Sequence, residues 1–173
     1  MKSAHPIRRK QNGNFLAEMA VVFVPLFALL FGFVDFGLAI FLRSTFQSAV
    51  AAGVRYGVTM QTVSGFGMND SIRLVTQANA LGFLGDTTYN TPNRAQITVQ
   101  YYNPNGSMLT PLPPGNANQP LNVLEVTTAG YNYNWVTLLS GTWALRNGTP
   151  VSITAYSSDR LGALPTGAVP PPE

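Results

Sequence analysis

The stretch GNFLAEMAVVFVPLFALLFGFVDFGLAIFLR, residues 13–43, decides the fold because it is the one long apolar run in the chain. Its 24 residues from Met19 to Leu42 contain a single charged side chain, Asp35. A helix rises about 1.5 Å per residue, so these residues would cross a hydrocarbon core of about 30 Å. The run is also longer than the roughly 7–15 apolar residues of a cleavable secretory signal. It therefore predicts a transmembrane helix.

The positive charge of the chain is concentrated ahead of this helix. The first thirteen residues contain four basic side chains and no acid, whereas the rest contains six basic and seven acidic side chains. Basic flanks stay on the cytoplasmic side, which predicts a cytoplasmic N-terminus. Without the leader the net charge is −1 and no basic face is apparent, so nucleic acid is not an expected partner.

The helical pattern continues beyond the membrane to about Thr59. Apolar and small residues recur every three or four positions between Phe46 and Met60. A helix from Asn14 to Thr59 would be about 69 Å long. Pro25 removes one backbone hydrogen bond inside it and predicts a kink, which membrane helices tolerate.

Three small residues recur at four-residue spacing in the outer part of this helix: Ala49, Gly53 and Gly57. Small side chains at this spacing allow another helix to approach closely. Two interpretations are open. The helix of another subunit could pack on these positions, the chain's own domain could do so, or both could at different points along the stripe.

The two acids of the apolar run also have two interpretations each. Glu18 could simply lie at the cytoplasmic interface, but a cut after Gly13 would give Asn14 a free amine and make Glu18 the fifth mature residue. That amine could pair with the carboxylate of Glu18 in the same or a neighbouring subunit. Asp35 falls at the outer interface, as a solvated acid or as a partner of Arg43 in an adjacent subunit.

A small mixed domain is expected to follow the helix. A helical stripe predicts a second helix over residues 71–85, begun by Asp70 or Ser71. Period-two alternation predicts an antiparallel sheet, with a turn signal at Ala129-Gly130. Its strand segments are residues 95–102, 122–136 and 149–158. The fold class is therefore α+β, with the sheet packed on the protruding helix.

Four segments are expected along the chain. They are a basic leader (1–13), a transmembrane and protruding helix (14–59), an extracytoplasmic α+β domain (60–160) and a disordered, proline-rich tail (161–173).

Residue types exclude several kinds of chemistry. The chain has no cysteine, and its only histidine, His5, lies in the leader. Thiolate nucleophiles, Ser-His-Asp triads and Cys- or His-based metal sites are therefore not available to the domain. The acids outside the membrane are isolated in sequence. We expect no catalytic residues, no metal, no cofactor and no enzymatic activity.

Residues 8–58, RRKQNGNFLAEMAVVFVPLFALLFGFVDFGLAIFLRSTFQSAVAAGVRYGV, resemble the TadE-like family of minor pilins and pseudopilins from Tad/Flp type IV pilus systems. The resemblance depends on the ordered combination of a basic leader with several motifs. These are Gly13, Glu18, Pro25, FGFVDFG at 31–37, Arg43 and AAGVRY at 51–56. The family usually has an aromatic residue after the glutamate, where this chain has Met19.

The resemblance implies a prepilin in the bacterial inner membrane with a periplasmic domain. A prepilin peptidase would cut after Gly13, and Glu18 would support processing or subunit registration. The helix from Asn14 would then assemble with other pilin subunits on the assembly platform, leading to a pilus at the cell surface and to adhesion or surface colonisation. The alternative is a permanently anchored periplasmic ligand-binding domain that never enters a filament.

Overall fold

The computed structural model describes residues 12–84, 96–105, 110–115, 117–135, 150–164 and 167–173. These residues contain two helices and three strands. They are α1 (Asn12–Val58), α2 (Met68–Ala78), β1 (Gln96–Tyr102), β2 (Val123–Tyr133) and β3 (Val151–Arg160). The predicted α+β class is confirmed, with a long N-terminal helix, a second helix and an antiparallel sheet.

The chain divides into two compact units. The first comprises Met1–Gly37 and Trp135–Gly148, and the second comprises Leu38–Asn134 and Thr149–Glu173. Helix α1 contributes residues to both units, and its side chains have different surroundings in each.

In the first unit, α1 exposes apolar side chains around its circumference. Val21 is 75% exposed and Phe33 is 72% exposed. Three phenylalanines at four-residue spacing stack along one side, with ring centroids 5.9 Å apart for Phe23 and Phe27 and 6.1 Å apart for Phe27 and Phe31. An exposed apolar surface of this extent marks a site for lipid or for another protein.

In the second unit, α1 packs into a hydrophobic core. Phe46, Val50 and Val54 are buried, and they follow one another at four-residue spacing along one face of the helix. The ring of Phe46 meets that of Tyr131 edge-on, with centroids 4.9 Å apart. This part of the helix is therefore fixed by the sheet.

Helix α2 begins and ends earlier than the sequence predicts. It begins at Met68, whose side chain is fully buried, and the residue before it is Gly67 with no side-chain cap. The backbone amide of Met68 instead donates to the carbonyl of Pro172 at 2.7 Å. The chain leaves the helix soon after Ala78, because Leu81 has a positive φ of 53°.

The sheet has the order β1-β2-β3, and both pairings are antiparallel. Leu124, Val126 and Thr128 alternate along β2 as its buried side chains, which places one face of the central strand on the core. The buried hydroxyl of Thr128 accepts from the amide of Ala155 at 3.2 Å. Its polar atom is therefore satisfied inside the apolar layer.

The predicted turn at Ala129-Gly130 is an irregularity inside a single strand. Strand β2 continues to Tyr133, and its register against β3 shifts between Thr128 and Tyr131. Gly130 has φ 84°, a conformation that suits glycine and that accommodates an extra residue in a β-bulge. The same residue types that signal a turn thus bend one strand here.

The described residues of the C-terminal segment make hydrogen bonds with distant parts of the chain. Leu161 is buried, and its amide donates to the carbonyl of Asn122 at 2.8 Å. The amide of Gly162 donates to the carbonyl of Val58, the last residue of α1, at 3.1 Å. Farther along, Pro172 accepts the amide of Met68. The disorder that proline-rich composition indicates for residues 161–173 stays a prediction, beside which the described residues of this segment make these hydrogen bonds.

Candidate assembly helix

The first residues of α1 include the candidate cleavage bond. The helix begins at Asn12, so the backbone of Gly13 and Asn14 is already helical. Glu18 lies about one turn farther along the helix and is exposed. The structure therefore presents the glutamate carboxylate on the outside of the helix.

The apolar part of α1 has the properties of a membrane span. Among the described residues, one helix is long and apolar enough to cross a membrane, over Phe15–Val58. Only 6% of its most apolar window is buried within the protein. The core helix of a soluble protein would instead be mostly buried, so this helix indicates membrane anchoring. Pro25 lies inside the helix, which continues on both sides of it.

Asp35 and Arg43 have opposite surroundings. Asp35 is fully buried within the chain, whereas Arg43 is exposed. The carboxylate of Asp35 is therefore shielded from water, and its pairing with Arg43 of an adjacent subunit stays a prediction. This differs from a solvated acid at the membrane interface. Burial of the acid requires hydrogen-bond or ionic partners in the folded chain.

The small residues of the outer part of α1 face the chain's own domain. Ala49 is fully buried. A Cβ atom added to Gly53 would collide with the hydroxyl of Thr76, and one added to Gly57 would lie 2.8 Å from Ile72 Cδ1. Gly53 and Gly57 thus allow close contact with α2 within the chain, and packing of another subunit on this stripe stays a prediction.

Comparison with protein families adds a specific assignment for this helix. Residues 13–55 match the family of TadE-like proteins. The match confirms the resemblance seen in the sequence, and it covers about a quarter of the chain. Comparisons with curated proteins and with solved structures gave no significant match. The TadE-like family is associated with Tad pilus systems, and the match relates α1 of this chain to that family.

Sequence reasoning missed an open groove that is lined by residues of α1 between positions 40 and 55 and by Asn79. The groove has a volume of about 840 Å³ and is bordered by two arginines, Arg43 and Arg55. Small side chains such as Ser48 and Ala51 also line it. Gln47 lies in the groove and donates to the carbonyl of Tyr156 at 2.9 Å, which links the helix to β3. The signal in the sequence is the four-residue spacing of residues 43, 47, 51 and 55.

Tyr101 is a buried hydrogen-bond donor next to α2. Its hydroxyl donates to Asn69 Oδ1 at 2.6 Å. Burial raises the pKa of Tyr101 well above its usual range, the negative charge of Glu173 adds to this, and Arg73 opposes it. A phenol with a raised pKa stays protonated at neutral pH, so Tyr101 acts as a structural donor rather than as a nucleophile.

Two other tyrosines of the sheet have raised pKa values. For Tyr102 the main cause is burial, followed by the charge of Glu125 and a hydrogen bond to it. The hydroxyl of Tyr102 lies 3.4 Å from Glu125 Oε1. For Tyr131 the cause is burial beneath the domain surface. In the described part of the chain, no group of three or more His, Cys, Asp or Glu residues could hold a metal ion.

Proposed function

We propose that this chain is a minor pilin or pseudopilin of a Tad/Flp-type pilus and takes part in assembling the filament. One observation carries the proposal. A helix that matches TadE-like proteins over residues 13–55 is exposed and apolar in the first unit, and it is anchored in a folded domain in the second. Such a helix can exchange lipid for the helices of other subunits while its domain stays in water.

The free energy of burying apolar area favours contact of the exposed surface with lipid or with other subunits. Burial of apolar area is worth about 25 cal/mol per Å², so large side chains such as Phe33 and Val21 are unfavourable in water. In the inner membrane the acyl chains would cover them. In a filament the same side chains would be covered by α1 of neighbouring subunits. The helix therefore remains out of water in both states.

Removal of the leader provides the step between these two states. Residues 1–13 contain four basic side chains, which hold the N-terminus in the cytoplasm. Cleavage after Gly13 by a prepilin peptidase would remove all four and leave the amine of Asn14. With the positive anchor gone, the helix can leave the bilayer when the assembly platform engages it.

Glu18 is the residue we assign to processing and subunit registration. A carboxylate in an apolar surrounding is stabilised by a group of opposite charge. The amine of Asn14 in a neighbouring subunit is a partner of the right charge. Because Glu18 is exposed on α1, an approaching subunit can reach it. Pairing would fix the relative height of the two helices.

The other parts of the chain have positions consistent with this proposal. The N-terminus would be cytoplasmic and the domain periplasmic, with the cell surface as the destination of an assembled pilus. Arg43 and Arg55 border a groove outside the apolar run, where another pilus subunit could contact it. Adhesion or surface colonisation would follow from the filament as a whole.

The test is mass spectrometry of the protein isolated from its native cell. We expect a mature N-terminus at Asn14 and pilus assembly that is lost in Glu18→Ala, whereas the control variant Met19→Leu keeps both. An intact leader, together with monomers insensitive to Glu18→Ala, would contradict the proposal. That result would support a permanently anchored periplasmic domain.

A further inference from the structure

Three backbone amides of one loop converge on the carboxylate of Glu173. The amide of Gly115 donates to Oε2 at 2.7 Å, and that of Asn118 donates to Oε1 at 3.1 Å. The amide of Ala117 also donates to Oε1. Hydrogen bonds from several amides to one anion are stronger than those between neutral groups. The loop thus forms a concave site for a carboxylate.

Two more donors meet the carbonyl groups of the preceding prolines. The amide of Met68, at the start of α2, donates to Pro172 O at 2.7 Å. The side-chain amide of Asn118 donates to Pro171 O at 2.6 Å. Asn118 is only 2% exposed, so its amide is held in place by the surrounding domain. Donors from two separate parts of the chain therefore face the same three-residue segment.

Gly67 supplies space for this segment. A Cβ atom added to Gly67 would collide with the backbone oxygen of Glu173 and would lie 3.3 Å from Pro172 O. The φ of Gly67 is −70°, which every residue adopts easily. Glycine is thus required here by the close approach of the segment and not by the backbone conformation.

The donors and the bound segment are chemically complementary. In these five contacts every donor is an N–H group of the site and every acceptor is an oxygen of the segment. Proline has no backbone N–H and favours an extended conformation, so a Pro-Pro-Glu segment presents carbonyls and a carboxylate with little conformational entropy to lose. Grooves that read proline-rich segments use the same property.

We propose that Gly67, Met68 and the loop residues 115, 117 and 118 form a binding site for acidic, proline-rich peptides, and that the chain's own residues 171–173 occupy it. We call Gly67, Met68 and the loop residues 115, 117 and 118 the clasp site. The segment is held by hydrogen bonds without strand pairing, so the same segment from a second copy satisfies the same donors. The proposal does not depend on the role of the chain in a pilus.

A peptide supplied in trans tests the site. The full chain lacking only residues 167–173 is prepared in detergent micelles and titrated with fluorescent GAVPPPE, amidated so that the glutamate side chain is its only carboxylate. We expect saturable binding, at least tenfold weaker for GAVPPPQ and abolished by Gly67→Ala. Equal affinity for the two peptides, or no binding to a shortened chain with an unchanged circular dichroism spectrum, would overturn the proposal.

A second measurement keeps residues 167–173 in place and does not require the shortened chain to fold. Amide hydrogen exchange is compared between the unmodified chain and Glu173→Gln. We expect at least tenfold faster exchange at Gly115, Ala117 and Asn118, and no change there in the control Asp159→Asn. Unchanged protection of the three amides in Glu173→Gln would show that the carboxylate does not bind them.

Discussion

The two parts of α1 are both apolar, yet they have opposite surroundings. Phe33 in the first unit is 72% exposed, whereas Phe46 in the second unit is fully buried. The first part is apolar around its circumference, which is typical of a membrane span. The second part has large apolar residues on one face and small or polar residues elsewhere, which is typical of a helix packed on a domain. The pattern around the helix, more than its hydrophobicity, thus distinguishes lipid from protein as the neighbour.

The largest expected effect is a difference in domain stability between the alanine variants of Phe46 and Phe33. Phe46→Ala leaves a cavity between α1 and the sheet and should lower the free energy of unfolding of the domain by about 3–5 kcal/mol. Phe33→Ala should leave it unchanged, because that ring is exposed. Thermal unfolding of the full chain in detergent micelles, followed by circular dichroism, measures both. Equal destabilisation by the two variants would remove the distinction between the parts of the helix.

Membrane insertion should depend on the first part of α1 and not on the second. Leu30→Arg places a charge in the middle of the apolar run and should make the free energy of membrane insertion less favourable by about 2.5–3.5 kcal/mol. Ser48→Arg adds the same charge in the exposed groove of the second unit and should not affect insertion. The fraction of protein resistant to carbonate extraction measures the effect. If Leu30→Arg were retained as well as Ser48→Arg, the apolar part would not span the bilayer.

Two glycines of α1 provide a finer comparison. Gly53→Ala should destabilise the domain by about 1–3 kcal/mol, because the added methyl group displaces α2 at Thr76. Gly37→Ala meets nothing within 4 Å and should be neutral or stabilising by up to about 1 kcal/mol. Unfolding in detergent micelles distinguishes the two. A neutral Gly53→Ala would mean that α1 and α2 are not closely packed.

The smallest expected effect is on the loss of domain stability at alkaline pH. Burial raises the pKa of Tyr101 in the folded chain above the unfolded value near 10, so at high pH the folded state binds more protons than the unfolded state. Stability is therefore constant below about pH 10 and falls as pH rises further. Tyr101→Phe should reduce this fall, whereas Tyr156→Phe at an exposed position should not. An unchanged alkaline unfolding curve for Tyr101→Phe would contradict the burial of that phenol.

The elements with strong local periodicity could be predicted from the sequence. Helix α1 and the three strands depend on apolar spacing of three to four or of two residues, which is a local property of the chain. The TadE-like motifs likewise lie in one continuous segment. Both the apolar spacing and the motifs can be recognised without knowledge of tertiary contacts.

The features that sequence reasoning missed depend on contacts between distant residues. Asp35 is buried although its position along the helix indicates an interface. Helix α2 begins at Met68 because a carbonyl of Pro172 accepts its amide, more than 100 positions away in the chain. The clasp site is assembled by the same kind of long-range hydrogen bond. Composition near residues 167–173 indicates disorder and carries no information on these partners.

The most direct test of the different surroundings of the two parts of α1 uses single cysteines, because the chain contains none of its own. Phe27→Cys and Ser48→Cys are expressed in native cells, and spheroplasts are treated with a membrane-impermeant maleimide. We predict that Ser48→Cys is labelled and that Phe27→Cys is labelled only after denaturation in detergent. Labelling of both positions at the same rate in intact spheroplasts would contradict the placement of the exposed apolar part of α1 in the membrane.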